Sequence, residues 1–150
     1  MRRVPLLIVP IATLLALVAT GSADPPPTAP LFAHVYGLHS DAGQVGCILY
    51  NSPKGFPTDP SAALQRKWCA IENRASTCRF DPIPAGTYAV GCIHDENKNF
   101  KLDTGLFGIP KEGTVASNQA KPGMFGPPSF KDAQFTFSGA ASKLELKMGY

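Results

Sequence analysis

The stretch HDENKNFKLD, His94 to Asp103, sets oxygen-bearing side chains at alternate positions, Asp95, Asn97 and Asn99, with a further aspartate at Asp103. Hard cations such as calcium take their ligands from carboxylates, amide oxygens and backbone carbonyls. A tight loop can turn its first, third and fifth residues toward one ion. Asp95, Asn97 and Asn99 fill those places, Lys101 would add its backbone carbonyl, and Asp103 would bind directly or through water. The likeness to a helical calcium hand ends there. Phe100 stands where that loop needs glycine, Leu106 stands where it needs a bidentate glutamate, and the stretch follows a strand pattern instead of a helix. With Lys98 and Lys101 in the same loop, the spacing predicts weak calcium binding, at about 10⁻⁴ to 10⁻³ M, the range of extracellular modules. The same residue types also build turns whose side chains hydrogen-bond their own backbone. Both readings stand at this level, and Glu112 is a more distant oxygen donor for the first.

An enzyme is the alternative: a hydrolase or metalloenzyme built on His94, Asp95 and Asp103. It needs a nucleophile, a base and an orienting acid. Ser117 lies in ASNQA, without the setting of an activated serine, and His34 and His39 are not spaced as zinc ligands on a helix. His94 therefore reads as a hydrogen-bonded structural residue at a strand end. Lys111-Glu112 reads as a local ion pair or a solvated turn. Phe125, Pro127, Pro128 and Phe130 read as a packed lid over a sheet edge or, more sharply, as one wall of a peptide- or glycan-binding groove.

The elements that must position these residues begin after a leader. Arg2 and Arg3 precede an apolar run from Val4 to Val18, and Gly21-Ser22-Ala23 follows with small residues. This is the pattern of a secretory signal peptide ending at Ala23. The run is shorter than the roughly 20 residues of a membrane span. Residues 24–30 read as a Pro-rich leader and 31–150 as one domain. Removing Arg2 and Arg3 from the 14 basic residues leaves 12 against 11 acidic ones. That balance gives no footprint for nucleic acid or an anionic membrane.

Four cysteines in an exported chain predict two disulfides. WCAIENRASTCRF reads as a hairpin with Asn73-Arg74 as a two-residue loop, which sets Cys69 opposite Cys78 at a non-hydrogen-bonded pair about 4.5 Å apart. Cys47 and Cys92 then join two strands distant in sequence. Strands are predicted in LFAHVYGL, GQVGCILYN, Thr87 to His94, AQFTFSG and SKLELKMGY, where Leu144, Leu146 and Met148 share one face. Asp59 and Pro60 predict a short helix or helical turn across TDPSAALQRKW. Residues 95–128 are irregular by composition. Short strands with at most one short helix predict an all-β fold, an antiparallel β-sandwich.

From Pro84 onward the chain carries PAGTYAVGCIHDENKNFKLDTGLFGIPKEG, then Ser117-Asn118, then MFGPPSFKDAQF. These motifs resemble DUF2141, an exported bacterial family of unknown function. The matching positions are Gly86, Tyr88, Ala89, His94, Asp95, Asn97, Asn99, Leu102, Asp103, Gly108, Pro110, Glu112, Ser117, Asn118, Phe125 to Pro128, Phe130 and Ala133. Phe100 departs from the family's usual glycine. Val115-Ala116 departs from its usual aromatic and glycine. The resemblance implies a secreted transthyretin-like or immunoglobulin-like sandwich and no established activity. The resulting expectation is a non-enzymatic module, secreted or periplasmic, with an envelope protein or glycan as partner; a purely structural envelope protein is the other alternative.

Overall fold

A computed structural model describes residues 25–124 and 126–150. The expected signal peptide and Phe125 of the family motif lie outside the described residues. Among the described residues the strands are β1 (Thr28–Tyr36), β2 (Gln44–Tyr50), β3 (Gln65–Cys69), β4 (Ala75–Pro84), β5 (Gly86–Asp95), β6 (Thr114–Ala116), β7 (Phe135–Phe137) and β8 (Ser142–Lys147), with one short helix, α1 (Phe130–Ala133). One sheet has the order β4-β1-β8 and the other β3-β2-β5-β6, with β7 also paired to β5. The expected all-β, two-sheet architecture is what the chain adopts. One pair departs from the antiparallel expectation: β1 and β8 run parallel, Leu31 opposite Ser142 through Tyr36 opposite Lys147.

Alternation of side chains across each strand builds the core. In β1, Leu31, Ala33 and Val35 point inward and are fully buried; in β4, Cys78 and Phe80 do the same. They meet Val45, Cys47, Leu49, Val90 and Cys92 from the facing sheet, with Leu146 and Met148 closing one edge. Two prolines that cannot donate to a ladder, Pro30 and Pro82, sit at the register shift between β1 and β4, where a bulge tolerates them. Thr28 and Ala29 are already paired with β4, so the strand starts inside the expected leader.

β5 is the central strand and is buried on both faces. Tyr88, Val90, Cys92 and His94 face the shared core. Ala89 faces the other way and packs with Ala116, Ala133, Phe56 and Phe130. Phe130 is the lid residue the sequence predicts: its ring meets Phe56 edge-on at 5.7 Å, and Phe56 meets Tyr50 at 5.3 Å.

Two local expectations change. The short helix or helical turn predicted from Asp59 is a single 3-10 turn, Pro60–Ala62. Asp59 caps it as expected, accepting from the Ser61 N–H, but Gln65–Cys69 is extended and pairs with β2. β3 edges that sheet, and this tertiary pairing outweighs the helix propensity of its residues. The two-residue turn at Asn73-Arg74 forms, with both residues at positive φ and Glu72 and Ala75 exchanging hydrogen bonds of 2.8 and 3.1 Å. Beyond Ala75, however, the arms separate into different sheets. Cys69 pairs with Val45 and Cys78 with Ala33. The Cys69–Cys78 disulfide, Cα to Cα 5.6 Å, is therefore a staple between the sheets and not a rung within a hairpin. Cys47–Cys92 is the true cross-strand rung, joining directly opposed residues of β2 and β5 at 4.2 Å.

The two bridges close loops of different length, 45 and 9 residues of sequence separation. Chain entropy then assigns about 4 kcal/mol to Cys47–Cys92 and about 2.6 kcal/mol to Cys69–Cys78. Urea unfolding of Cys47→Ala/Cys92→Ala is expected to show the larger loss, by about 1.4 kcal/mol, over Cys69→Ala/Cys78→Ala. The reverse order would show that the staple between sheets, and not loop length, dominates.

Candidate functional site

The chain leaves β5 at Asp95, whose side chain is fully buried. One carboxylate oxygen accepts the Asn99 N–H at 3.0 Å, and the other accepts the Phe100 N–H at 2.9 Å and the Gln44 amide at 2.8 Å. Gln44 is the residue opposite Asp95 in β2, so the strand register delivers this donor. Gly43, just before it, is at φ +81 and lies so close to the Asp95 carbonyl and Glu96 that any β-carbon there would collide.

A second buried carboxylate closes the loop. Glu112 is 7% exposed and accepts the Glu96 N–H at 3.0 Å on one oxygen and the Asp103 N–H at 2.9 Å on the other. The first and last residues of the 96–103 loop are thus held by one side chain, and the Lys111 N–H donates to the Asp103 carbonyl beside it. Glu112 is neither half of a surface ion pair nor part of a solvated turn, as the Lys111-Glu112 dipeptide suggested. Hydrogen bonds to a charged acceptor contribute about 1.5–3 kcal/mol each. Five N–H donors on Asp95 and Glu112 tie this loop to the sheet.

The remaining expected ligands lie on the exposed side of the same loop. The Asn97 and Asn99 side-chain amides donate to the two oxygens of Asp103, at 2.6 and 2.9 Å. Their own oxygens accept backbone N–H groups, Asn97 from Asn99 and Asn99 from Lys101, both at 3.1 Å. All five residues singled out from the sequence, Asp95, Asn97, Asn99, Lys101 and Asp103, are brought together, engaged as a hydrogen-bonded turn. Among the described residues no three histidine, cysteine, aspartate or glutamate side chains converge to hold a metal.

Phe100 takes φ +64. A left-handed backbone costs a residue with a β-carbon about 1–2 kcal/mol. The Phe100 N–H bond to Asp95 offsets this, as does its ring, which meets Trp68 edge-on at 5.1 Å. Trp68 in turn lies over Gly46, where a β-carbon would strike the indole.

His94 is fully buried, with Nε2 2.8 Å from the Ala42 carbonyl and Nδ1 2.6 Å from the Tyr150 hydroxyl. A carbonyl only accepts, so Nε2 carries the proton and the Tyr150 hydroxyl donates to Nδ1. Burial pushes the Tyr150 phenol above its usual pKa. The hydroxyl also accepts the His39 N–H at 2.9 Å. His94 thus ties β5 to two separate segments. Two surface depressions, of about 370 and 220 Å³, are lined by residues around His34 and Ser76 and around Gln119 and Lys147; neither lining includes His94, Asp95 or Asp103.

Ser117 is buried, with Oγ accepting the Val90 N–H at 2.9 Å and donating to the Ala133 carbonyl. Asn118, at φ +57, donates to the Gln134 carbonyl at 2.6 Å. The Ser-Asn pair anchors α1 against β5.

Beyond Asp103 the chain forms a finger. Thr104 bridges to Pro110, and Leu106–Gly108 is a 3-10 turn with Phe107 at φ +61. Leu106, Phe107 and Ile109 on it are 82%, 98% and 64% exposed. The sequence reading noted Leu106 only as a missing calcium ligand and passed over Phe107 and Ile109. The available signal was an L-F-x-I run inside an otherwise polar, glycine-rich segment.

Hydrogen bonds from Asn99 first, then Asn97, hold Asp103 below its usual pKa. A depressed folded-state pKa stabilises the fold above the unfolded value of about 3.9, and the contribution is lost as pH falls through the folded value. In Asn97→Ala/Asn99→Ala the Asp103 carboxyl, followed by NMR, is expected to titrate closer to its ordinary value. An unchanged titration would show that the lysines, and not the amides, set it.

A family model described as uncharacterized protein conserved in bacteria (DUF2141) matches residues 33–145. No curated protein matches the chain, and no solved structure does. The matched span takes in both sheets, the two buried carboxylates and the exposed finger, and the chain belongs to DUF2141.

Proposed function

We propose that this protein is an exported, non-catalytic β-sandwich module that docks to a component of the cell envelope through the finger at 104–110. The observation that carries the reading is the contrast within one loop region. Asp95 and Glu112 hold the base of the finger in buried hydrogen bonds, while Leu106, Phe107 and Ile109 stand in solvent at its end. A rigid base under exposed apolar side chains suits recognition. Export rests on the leader pattern of residues 1–23 and on two disulfides, which persist in oxidising compartments.

In a bacterial host the wild-type protein is expected to fractionate with the envelope, with its N-terminus at Asp24. Leu106→Ser/Phe107→Ser/Ile109→Ser is expected to be exported equally well and to move to the soluble periplasmic or extracellular fraction. Equal distribution of the two proteins would overturn the docking role, and retention of residues 1–23 with reduced cysteines would overturn export.

A second reading, calcium binding, is favoured by the two amides that converge on Asp103. Rotating each amide about its terminal bond gives up the 3.1 Å bonds from the Asn99 and Lys101 N–H groups, exchanges nitrogen for oxygen, and gathers Asn97, Asn99 and Asp103 as oxygen donors. Asp95 stays in the frame in this reading, because its oxygens already serve three donors. For a dissociation constant near 10⁻³ M, 10 mM calcium stabilises the fold by about 1.4 kcal/mol. The melting temperature is expected to rise in calcium and return in chelator; no shift would remove calcium from the account.

A further inference from the structure

The exposed finger carries a more specific assignment than docking in general. Three backbone hydrogen bonds shape its turn: the Gly105 N–H donates to the Ile109 carbonyl at 2.7 Å, the Gly108 N–H to the Gly105 carbonyl at 3.3 Å, and the Ile109 N–H to the Leu106 carbonyl at 3.4 Å. The turn holds Phe107 out at its end. A bulky residue at φ +61 is strained, yet its ring is 98% exposed and meets no core that would offset the strain.

The flanks of the finger are basic. From residue 98 to residue 111 the charged residues are Lys98, Lys101, Asp103 and Lys111. All three lysines are exposed, and none is in an ion pair among the described residues. Asp103 is engaged by two amides, Glu112 is buried on backbone N–H groups, and Glu96 lies toward His94. The near-zero balance of the chain from Asp24 onward predicts no attraction to an anionic membrane. The exposed lysines, however, flank the finger in sequence, Lys98 and Lys101 before it and Lys111 directly after it, and the Lys111 side chain lies beside Gly105.

We infer that the 104–110 finger inserts into the headgroup region of an anionic phospholipid bilayer, with Leu106, Phe107 and Ile109 reaching the acyl boundary and Lys98, Lys101 and Lys111 meeting phosphates. This is how interfacial segments combine apolar burial with attraction to lipid charge. The inference rests on the docking role proposed above and names its partner.

Flotation of the purified chain from Asp24 onward with vesicles separates the outcomes. Binding is expected to vesicles of phosphatidylethanolamine and phosphatidylglycerol. Leu106→Ser/Phe107→Ser/Ile109→Ser is expected to lower it more than tenfold with no change in melting temperature, since all three side chains are already in water. Each of Lys98→Gln, Lys101→Gln and Lys111→Gln is expected to weaken binding about fivefold at low salt. Equal binding to phosphatidylcholine vesicles would overturn the anionic assignment. No vesicle binding, while the finger still governs envelope retention in cells, would overturn the lipid partner and leave the docking role standing. Self-association abolished by the finger variant, without vesicle binding, would assign the surface to a second copy of the chain.

Discussion

Two buried carboxylates, Asp95 and Glu112, organise the loop end of this protein. Asp95 ends the central strand, and its oxygens are occupied by N–H groups of the loop that follows. Glu112 reaches back from the far side and takes one N–H from each end of that loop. A buried carboxylate left without donors would be strongly destabilising, so the loop and the carboxylates require each other. Among the described residues no buried side-chain nitrogen or oxygen lacks a partner. The irregular backbone at Lys98 and Phe100, both at positive φ, is tolerable because this frame fixes it.

The sheets supply what the frame hangs on. β5 is held on one side by β2, with a disulfide at its middle, and on the other by β6 and β7. Pairing of β2 and β5 places Gln44 against Asp95, and the Cys69–Cys78 staple fixes the second sheet across the core. Glu112 reaches its position through the short strand β6, which begins two residues later and pairs with β5. The His94–Tyr150 bond locks the same end of β5 from within. The finger thus stands on a base whose supports come from several parts of the chain.

Much of this was legible in the sequence. Clean alternation in Leu31 to Val35 and Leu144 to Met148 gave the strands, and the even cysteine count with one tight turn gave both disulfide pairings. The polar loop was visible as a spacing of Asp95, Asn97, Asn99 and Asp103, and Phe100 as the residue standing where such a loop has glycine. The divergence of the 69–78 arms into separate sheets was not legible, because a turn motif fixes only its own neighbours. The extended state of Gln65–Cys69 was hidden for the same reason: local helix signals compete with a sheet edge that only the whole fold provides. Glu112 looked like a surface residue beside Lys111, since nothing local shows that a side chain will meet amides 9 and 16 residues away. The parallel β1–β8 pair likewise joins residues more than 100 positions apart.

Amide hydrogen exchange in Glu112→Gln tests most directly whether Glu112 holds the loop closed. Glutamine keeps one acceptor oxygen and turns a nitrogen toward the other N–H, so one of the two amides, Glu96 or Asp103, loses its partner. The loss of a bond to a charged acceptor corresponds to at least about tenfold faster exchange. The expected result is that acceleration at Glu96 or Asp103, spreading to Asn99 and Phe100, with Val90 and Cys47 in the central strands unchanged. Unaltered exchange across residues 96–103 would contradict the account, because the loop would then hold its shape without the carboxylate said to close it.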